Sequence, residues 1–331
     1  MVSKVFWILT IFVNFSAIFG QDEFIDCEYF VSLSNEYTCW LAIYNPNGLD
    51  NFTDVTGTHL PEKSDDDVQF ISIRMIPITP IFPSIICEKF KNLNTLNIHS
   101  AGLQTIDDKA FENCKNITIL DIYANNMLNR IDENSFIENL ELKKLQIKVT
   151  NLSSLPENIF KNQHKLENLW LSVNKFIDLP KNIFKPLKNL RTIALNSNLL
   201  TTLNPELLEP LENLEYLNLD DNQFEELPAN IFNSFTNLKE IGLNQNKFKV
   251  IHSDWFGILP NLQSIYLYTN QIIAIDEKLL DNTGLNELYV LRNVCADKNV
   301  HDYSDSKELL RSEFKQCFEN YENLFPSKSD D

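Results

Sequence analysis

The sequence predicts an α/β solenoid: a horseshoe of stacked repeats with one parallel β-sheet on its concave side and a disulfide-stapled cap at each end. Three observations predict it. An apolar template, L-x-x-L-x-L-x-x-N-x-L, recurs nine times, beginning at Leu93, Ile117, Leu142, Leu166, Leu190, Leu214, Leu238, Leu262 and Leu285. The intervals are 24, 25, 24, 24, 24, 24, 24 and 23 residues, and a fixed period of this size is the signature of a solenoid. The six cysteines cluster toward the two ends of the array. A chain of 331 residues would suggest about two domains, but a solenoid grows by stacking and needs no second core.

Residues 1–20 read as a signal peptide. Lys4 precedes the apolar run Val5 to Phe19, and Ser16, Ala17 and Gly20 supply small residues for cleavage. The run is shorter than the ~20 residues of a spanning helix, and the polar end Ser327 to Asp331 offers no lipid-anchor tail. The expected product is secreted, extracellular and without a membrane span. Residues 21–67 form an N-terminal flank, 68–294 a degenerate turn (Val68, Ile71, Ile73, Ile76) plus the nine repeats, and 295–331 a C-terminal cap with a helix.

Within each repeat, L-x-x-L-x-L alternates as a short strand does. The inward leucines, Leu217 and Leu219 among them, must be buried against neighbouring repeats. The Asn that follows is expected to form a ladder, because an amide both donates to and accepts from buried turn backbone. That column is Asn125, Asn174, Asn198, Asn222, Asn246, Asn270 and Asn293, with Ala101 and Thr150 replacing Asn in the first and third repeats. A second column, Phe111, Phe136, Phe160, Phe184, Phe232 and Phe256 with Leu208 and Leu280 in its gaps, reads as a convex core spine.

The six cysteines allow 15 pairings. Position in the solenoid favours the local pairs Cys27–Cys39, Cys87–Cys114 and Cys295–Cys317, as staples in an oxidising compartment. After the last repeat, Ser304 to Phe325 reads as one helix opened by Asp305 and Glu308. Leu310, Phe314, Cys317, Tyr321 and Leu324 fall on one face of it, either as a cap over the last repeat or as a short dimerisation helix.

No chemistry is legible. His59, His99, His164, His252 and His301 share no ligand spacing, and no nucleophile elbow, phosphate loop or zinc-protease motif appears. Asp65-Asp66-Asp67 reads as an exposed acidic turn, since no calcium-loop spacing follows. No catalytic residue, metal or cofactor is expected. The formal charge is −18; loss of Lys4 with the signal peptide leaves 27 basic against 46 acidic residues, or −19. That argues against nucleic acid and anionic surfaces as partners. Sequons at Asn51, Asn116 and Asn151 are candidate N-glycosylation sites.

These repeats resemble the typical class of extracellular leucine-rich repeats, from about Val68 to Asn293. The flank Thr56-Gly57-Thr58-His59-Leu60, with Lys63 and Asp65-Asp66-Asp67-Val68 between Cys39 and Cys87, is similar to secreted insect leucine-rich-repeat proteins. That family includes immune recognition proteins acting with complement-like partners. This chain departs from those members in having no long C-terminal coiled coil and no spare cysteine. The resemblance implies a non-enzymatic recognition protein in insect innate immunity, and a monomer or weak dimer is expected. An extracellular protein ligand is the first expectation, with a carbohydrate or microbial surface as the alternative. A signalling or matrix ligand for a receptor, and a hydrolase inhibitor, remain open.

The binding face should be the outward strand positions. The central column is Asn97, Asp121, Gln146, Trp170, Ala194, Asn218, Gly242, Tyr266 and Tyr289, flanked by Tyr123, Tyr216, Asp220 and Tyr268. Exposed Tyr and Trp there would supply large contacts at low entropy cost; the other reading of the terminal tyrosines is that they stack on one another or lie under the C-terminal cap. His99 is the one histidine on this face and is expected to be solvated.

Overall fold

The computed structural model describes residues 24–44, 54–74, 81–281, 284–296, 299–300 and 307–326. The signal peptide, Asn51, Ile76, His301, Ser304 and Asp305 lie outside these. The strands are β1 (Phe24–Val31), β2 (Tyr37–Tyr44), β3 (Phe70–Arg74), β4 (Thr95–His99), β5 (Thr105–Ile106), β6 (Ile119–Tyr123), β7 (Arg130–Ile131), β8 (Lys144–Lys148) and β9 (Asn168–Trp170). They continue with β10 (Thr192–Ala194), β11 (Tyr216–Asn218), β12 (Glu240–Gly242), β13 (Val250–Ile251), β14 (Ser264–Tyr266), β15 (Ala274–Ile275), β16 (Glu287–Tyr289) and β17 (Asn299–Val300).

One sheet runs the length of the solenoid in the order β1-β2-β3-β4-β6-β8-β9-β10-β11-β12-β14-β16-β17. It is parallel from β2 to β16 and closes at each end with an antiparallel strand. Two small parallel pairs, β5–β7 and β13–β15, lie outside it. The alternation sets the core. Leu96 and Ile98, Leu120 and Ile122, and so on to Leu288 and Val290, point inward and are buried, as are Leu217 and Leu219. The phenylalanine column is buried throughout, with Leu208 and Leu280 in its gaps.

The Asn ladder works through three kinds of bond. Asn222 Nδ2 donates to the Leu195 carbonyl one repeat back at 3.0 Å and to the Leu219 and Asp220 carbonyls of its own turn at 3.1 Å. Its Oδ1 accepts from Leu200 N at 3.1 Å. Asn198, Asn246 and Asn270 repeat the pattern. Thr150 holds its place by a hydroxyl bond to Asn174 Oδ1, and Ala101 is served from the next repeat, its N–H donating to Asn125 Oδ1 at 3.0 Å. The 25-residue interval after Ile117 is absorbed where the next buried residue after Asn125 is Leu128, three positions on, instead of two as in Asn174/Phe176 or Asn222/Phe224. The surplus at Asn126–Met127 projects into solvent, with Met127 57% exposed.

Each of the nine repeat strands leaves the sheet through one left-handed residue. Ser100, Ala124, Val149, Val173, Ser197, Asp221, Gln245, Thr269 and Arg292 have φ between 52° and 61°, and none is glycine. Valine is a poor choice there, because its branched Cβ crowds the backbone. Val173→Asn should therefore raise unfolding free energy by roughly 1 kcal/mol, since Asn tolerates this region. Chemical denaturation would show a higher midpoint; a lower one would mean that Val173 packing outweighs the strain.

The three disulfides are Cys27–Cys39, Cys87–Cys114 and Cys295–Cys317, and no cysteine is free. Around the first, the flank motif folds into a clamp. Gly57, at φ +133°, lies so close to Cys27 that a Cβ would meet its carbonyl oxygen. His59 stacks on Tyr29 and bridges the Tyr37 hydroxyl at 3.1 Å and Asp65 at 3.0 Å. Desolvation and Asp65 push the Tyr29 phenol up. Asp65–Asp67 is a single turn of 3₁₀ helix, tied by Lys63 to Asp67 and by Lys89 to Asp65.

At the other end the expected single helix is two, Lys307–Glu313 and Lys315–Leu324. Phe314 breaks them, with φ −107° and ψ 16°, and is fully buried. The buried face continues across the break: Leu310, Phe314, Cys317 and Phe318 go inward, while Leu324 is exposed. Asn320 Nδ2 donates to the Ile273 carbonyl at 2.6 Å, the Tyr321 hydroxyl meets His252 Nδ1 at 3.0 Å, and Arg311 pairs with Glu277. The helices are therefore a cap on the last repeats.

Candidate binding face

The concave face is built by register. Strand pairing aligns Asn97, Asp121, Gln146, Trp170, Ala194, Asn218, Gly242, Tyr266 and Tyr289 in one row. The same row begins earlier than the repeats. Trp40 of β2 pairs with Ser72, and Ser72 with Asn97. Trp40 is 42% exposed and packs edge-on to Phe30, 4.8 Å between centroids. The repeat template does not reach the flank, so Trp40 was not legible from it. The alternation of buried Cys39 and Leu41 around it is the signal that places it.

Aromatics thus stand at three points of the central row. Trp170 lies half-buried near its middle. Neighbouring strands are about 4.8 Å apart, which puts Trp40 roughly 24 Å from Trp170 on one side and Tyr266 roughly 19 Å from it on the other. Tyr123 and Tyr216 flank the row and are exposed. Lys148 lies 5.8 Å from the Tyr123 ring, and Lys239 lies 5.9 Å from that of Tyr216.

The C-terminal tyrosines form a cluster. Tyr266 and Tyr289 stack with centroids 4.7 Å apart and planes 8° from parallel, and Tyr268 lies 5.5 Å from Tyr289. Of the two readings of Tyr289, stacking is the one realised: it is only 9% exposed, because the other two rings cover it. Its phenol is pushed up to about 12 by desolvation and by a hydrogen bond with Glu287. Tyr266 and Tyr268 remain half-buried, their phenols raised first by desolvation.

Asp220 lies two residues beyond β11. Its backbone N–H donates to Asn218 Oδ1 at 2.9 Å, and its Oδ1 accepts from Asn244 N at 2.8 Å. Burial raises its pKa, against the lowering effect of those amide bonds. His99 is less solvated than expected: it is half-buried and meets Asp121 at 3.1 Å. Asp121 Oδ1 is buried without a partner.

The solenoid edge at the strand starts carries alternating charges, Lys143, Glu167, Arg191, Glu215 and Lys239, on consecutive strands. Glu215 pairs with both Arg191, at 2.5 Å, and Lys239, at 2.6 Å, and is held below the usual carboxylate range by them. A shallow cleft here is lined by Lys143, Lys165, Glu167, Asn189, Arg191 and Asn213. Most of its groups bond repeat to repeat: Lys165 pairs with Glu141, and Asn189 and Asn213 donate to the His164 and Lys188 carbonyls.

Those two amides belong to a second Asn column at the residue before each repeat begins. Asn92, Asn116, Asn189, Asn213, Asn237 and Asn261 each donate to a carbonyl about one repeat back. The 24-residue spacing of these asparagines is visible in the sequence, but the leucine template draws the eye past it. Asn116, one of the sequons, is a member, its Nδ2 2.9 Å from the Lys91 carbonyl. Asn151 is half-buried at the turn after Thr150. No group of metal-binding side chains, and no helix long and apolar enough to cross a membrane, occurs among the described residues.

A comparison with curated protein sequences yields no match. Among solved structures, a chain of the Toll–Spatzle complex, described as a molecular hub in Drosophila development and innate immunity, superposes with a TM-score of 0.54 at 21% identity. The match covers 72% of this chain and 39% of that one. The glycosylated form of the same complex gives 0.52 at 20% identity over 69% and 37%. This chain therefore spans about two fifths of the neighbours' length, and the likeness is one of fold. Six copies of the BspA type leucine rich repeat region match across residues 83–206 and 155–287, and on that match the chain belongs to the leucine-rich-repeat family.

Proposed function

We propose that this is a secreted, non-enzymatic recognition protein that binds a protein ligand on its concave face. The observation that carries the reading is the row of Trp40, Trp170 and Tyr266 on one sheet face that none of the described elements covers. Large amphipathic rings on a rigid support supply contact area at low entropy cost. Three disulfides suit an oxidising compartment. A fold neighbour drawn from a complex of two proteins, a hub in development and innate immunity, supports a protein ligand and an immune setting.

The test is recovery of the full chain from culture medium, followed by capture of its ligand from haemolymph or another extracellular fluid. Against that ligand, Trp170→Ala and the double change Tyr266→Ala with Tyr268→Ala should each weaken binding by more than about 1 kcal/mol, the usual threshold for an anchor residue. Circular dichroism should be unchanged. Full affinity in both, with loss on substituting convex Lys185, would move the binding site off the concave face.

A further inference from the structure

Charge is sorted along this solenoid. Residues 143–191 hold ten Lys or Arg and three Asp or Glu, a net +7; residues 192–238 hold eight Asp or Glu and no Lys or Arg, a net −8. The concave face carries the same division. β8 presents Lys144 and Lys148. β9 and β10 present Asn168 and Trp170, then Thr192 and Ala194, without charge. From β11 to β16 the outward positions hold Asp220, Glu240 and Glu287 and no cation. Lys239, at the edge, is already held by Glu215.

Asp220 is the informative group. It leans across onto the next strand, where a Cβ on Gly242 would stand 2.6 Å from its Oδ1. The missing side chain is what lets the carboxylate lie on the floor of the face. It is bonded by amides, and no ion pair with it forms among the described residues. A partly buried carboxylate without a cation is costly, and an incoming cation would relieve that cost. The wall beside it is Tyr266, whose phenol feels Glu240, Glu287 and Asp220 together. An aromatic face ringed by carboxylates suits a guanidinium or ammonium group.

We infer that the concave face is bipolar, and that β11–β16 takes an arginine- or lysine-rich segment of the protein ligand while β8 takes an acidic segment of the same ligand. This rests on the proposed use of the concave face. The two subsites are about 20 Å apart at four strand spacings, with Trp170 between them. Opposite charges at the two ends admit the ligand in one direction and penalise the reverse.

The test uses the full chain and two labelled probes, an octa-arginine and an octa-glutamate peptide, at physiological salt. Combining Asp220→Asn, Glu240→Gln and Glu287→Gln should weaken octa-arginine binding at least tenfold. Removing three exposed acids elsewhere, with Glu209→Gln, Glu212→Gln and Glu226→Gln, should weaken it less than twofold. Lys144→Glu with Lys148→Glu should abolish octa-glutamate binding. Equal losses in the two acid-to-amide variants would reduce the effect to bulk charge and overturn the inference, as would octa-glutamate binding that survives the lysine changes. Thermal melts of each variant separate these outcomes from misfolding. If the probes behave as expected while the ring variants leave the captured ligand bound, the polarity stands and the concave-ligand reading falls.

Discussion

Asn222→Ala is expected to cost this protein about 3 kcal/mol or more of unfolding free energy, at roughly 1–3 kcal/mol for each buried backbone group left without a partner. The residue is 1% exposed. Its amide serves three carbonyls and one N–H, drawn from two turns. Alanine removes all four bonds and leaves no room for the repeats to shift, because the strands on both sides are in register. Asn213→Ala is the paired control. It removes a bond of similar length, to the Lys188 carbonyl at 2.9 Å, but at an exposed edge where water can replace the donor. That change should cost under about 1 kcal/mol. Urea denaturation followed by circular dichroism would measure both. Equal costs would show that burial of the ladder contributes nothing beyond the bonds themselves.

Leu219→Ala should be comparably damaging, at roughly 2–5 kcal/mol for a large-to-small change in a packed core. Leu219 is 0% exposed, between Leu195 and Leu243 of the adjoining repeats, which are equally buried. A cavity there is walled by neighbours whose own positions are fixed by strand pairing, so collapse is limited. The melt should broaden or shift as a whole, because interface terms between neighbouring repeats hold the stack together. A change well below 1 kcal/mol would mean that the cavity closes.

The parts of this molecule that repeat were the parts most legible in its sequence. The inward leucines, the phenylalanine spine and the Asn column each recur at the period, and each performs in the structure the job its chemistry suggests. Disulfide pairing was legible for a related reason: position along a one-dimensional stack limits which cysteines can meet. What escaped were features with no periodic partner. Trp40 joins the concave row through a hairpin whose own sequence carries no repeat. The break at Phe314 was hidden because the 3.6-residue spacing of the buried residues continues across it, so the pattern reads the same for one helix as for two. For Tyr289 exposure and stacking both stayed open, because a position's outward direction says nothing about what a neighbouring ring does to it. His99 was misjudged for the same reason, its partner Asp121 lying on the adjoining strand.

The edge charges carry a consequence for how such a chain can grow or shrink. The Asn ladders count by one: cut out residues 214–237 and Asn246 would fall where Asn222 was, with the same carbonyls to meet. The edge row counts by two, since Lys143, Glu167, Arg191, Glu215 and Lys239 alternate in sign. Excision of that single unit would set Arg191 directly against Lys239 and strand both without Glu215, which now sits between them. Like charges opposite one another on adjacent strands are unfavourable. Loss or duplication of units in pairs would restore the alternation, whereas an odd change would leave a repulsive seam. In this stretch of the molecule the backbone tolerates any whole number of units, and the electrostatics favour even ones.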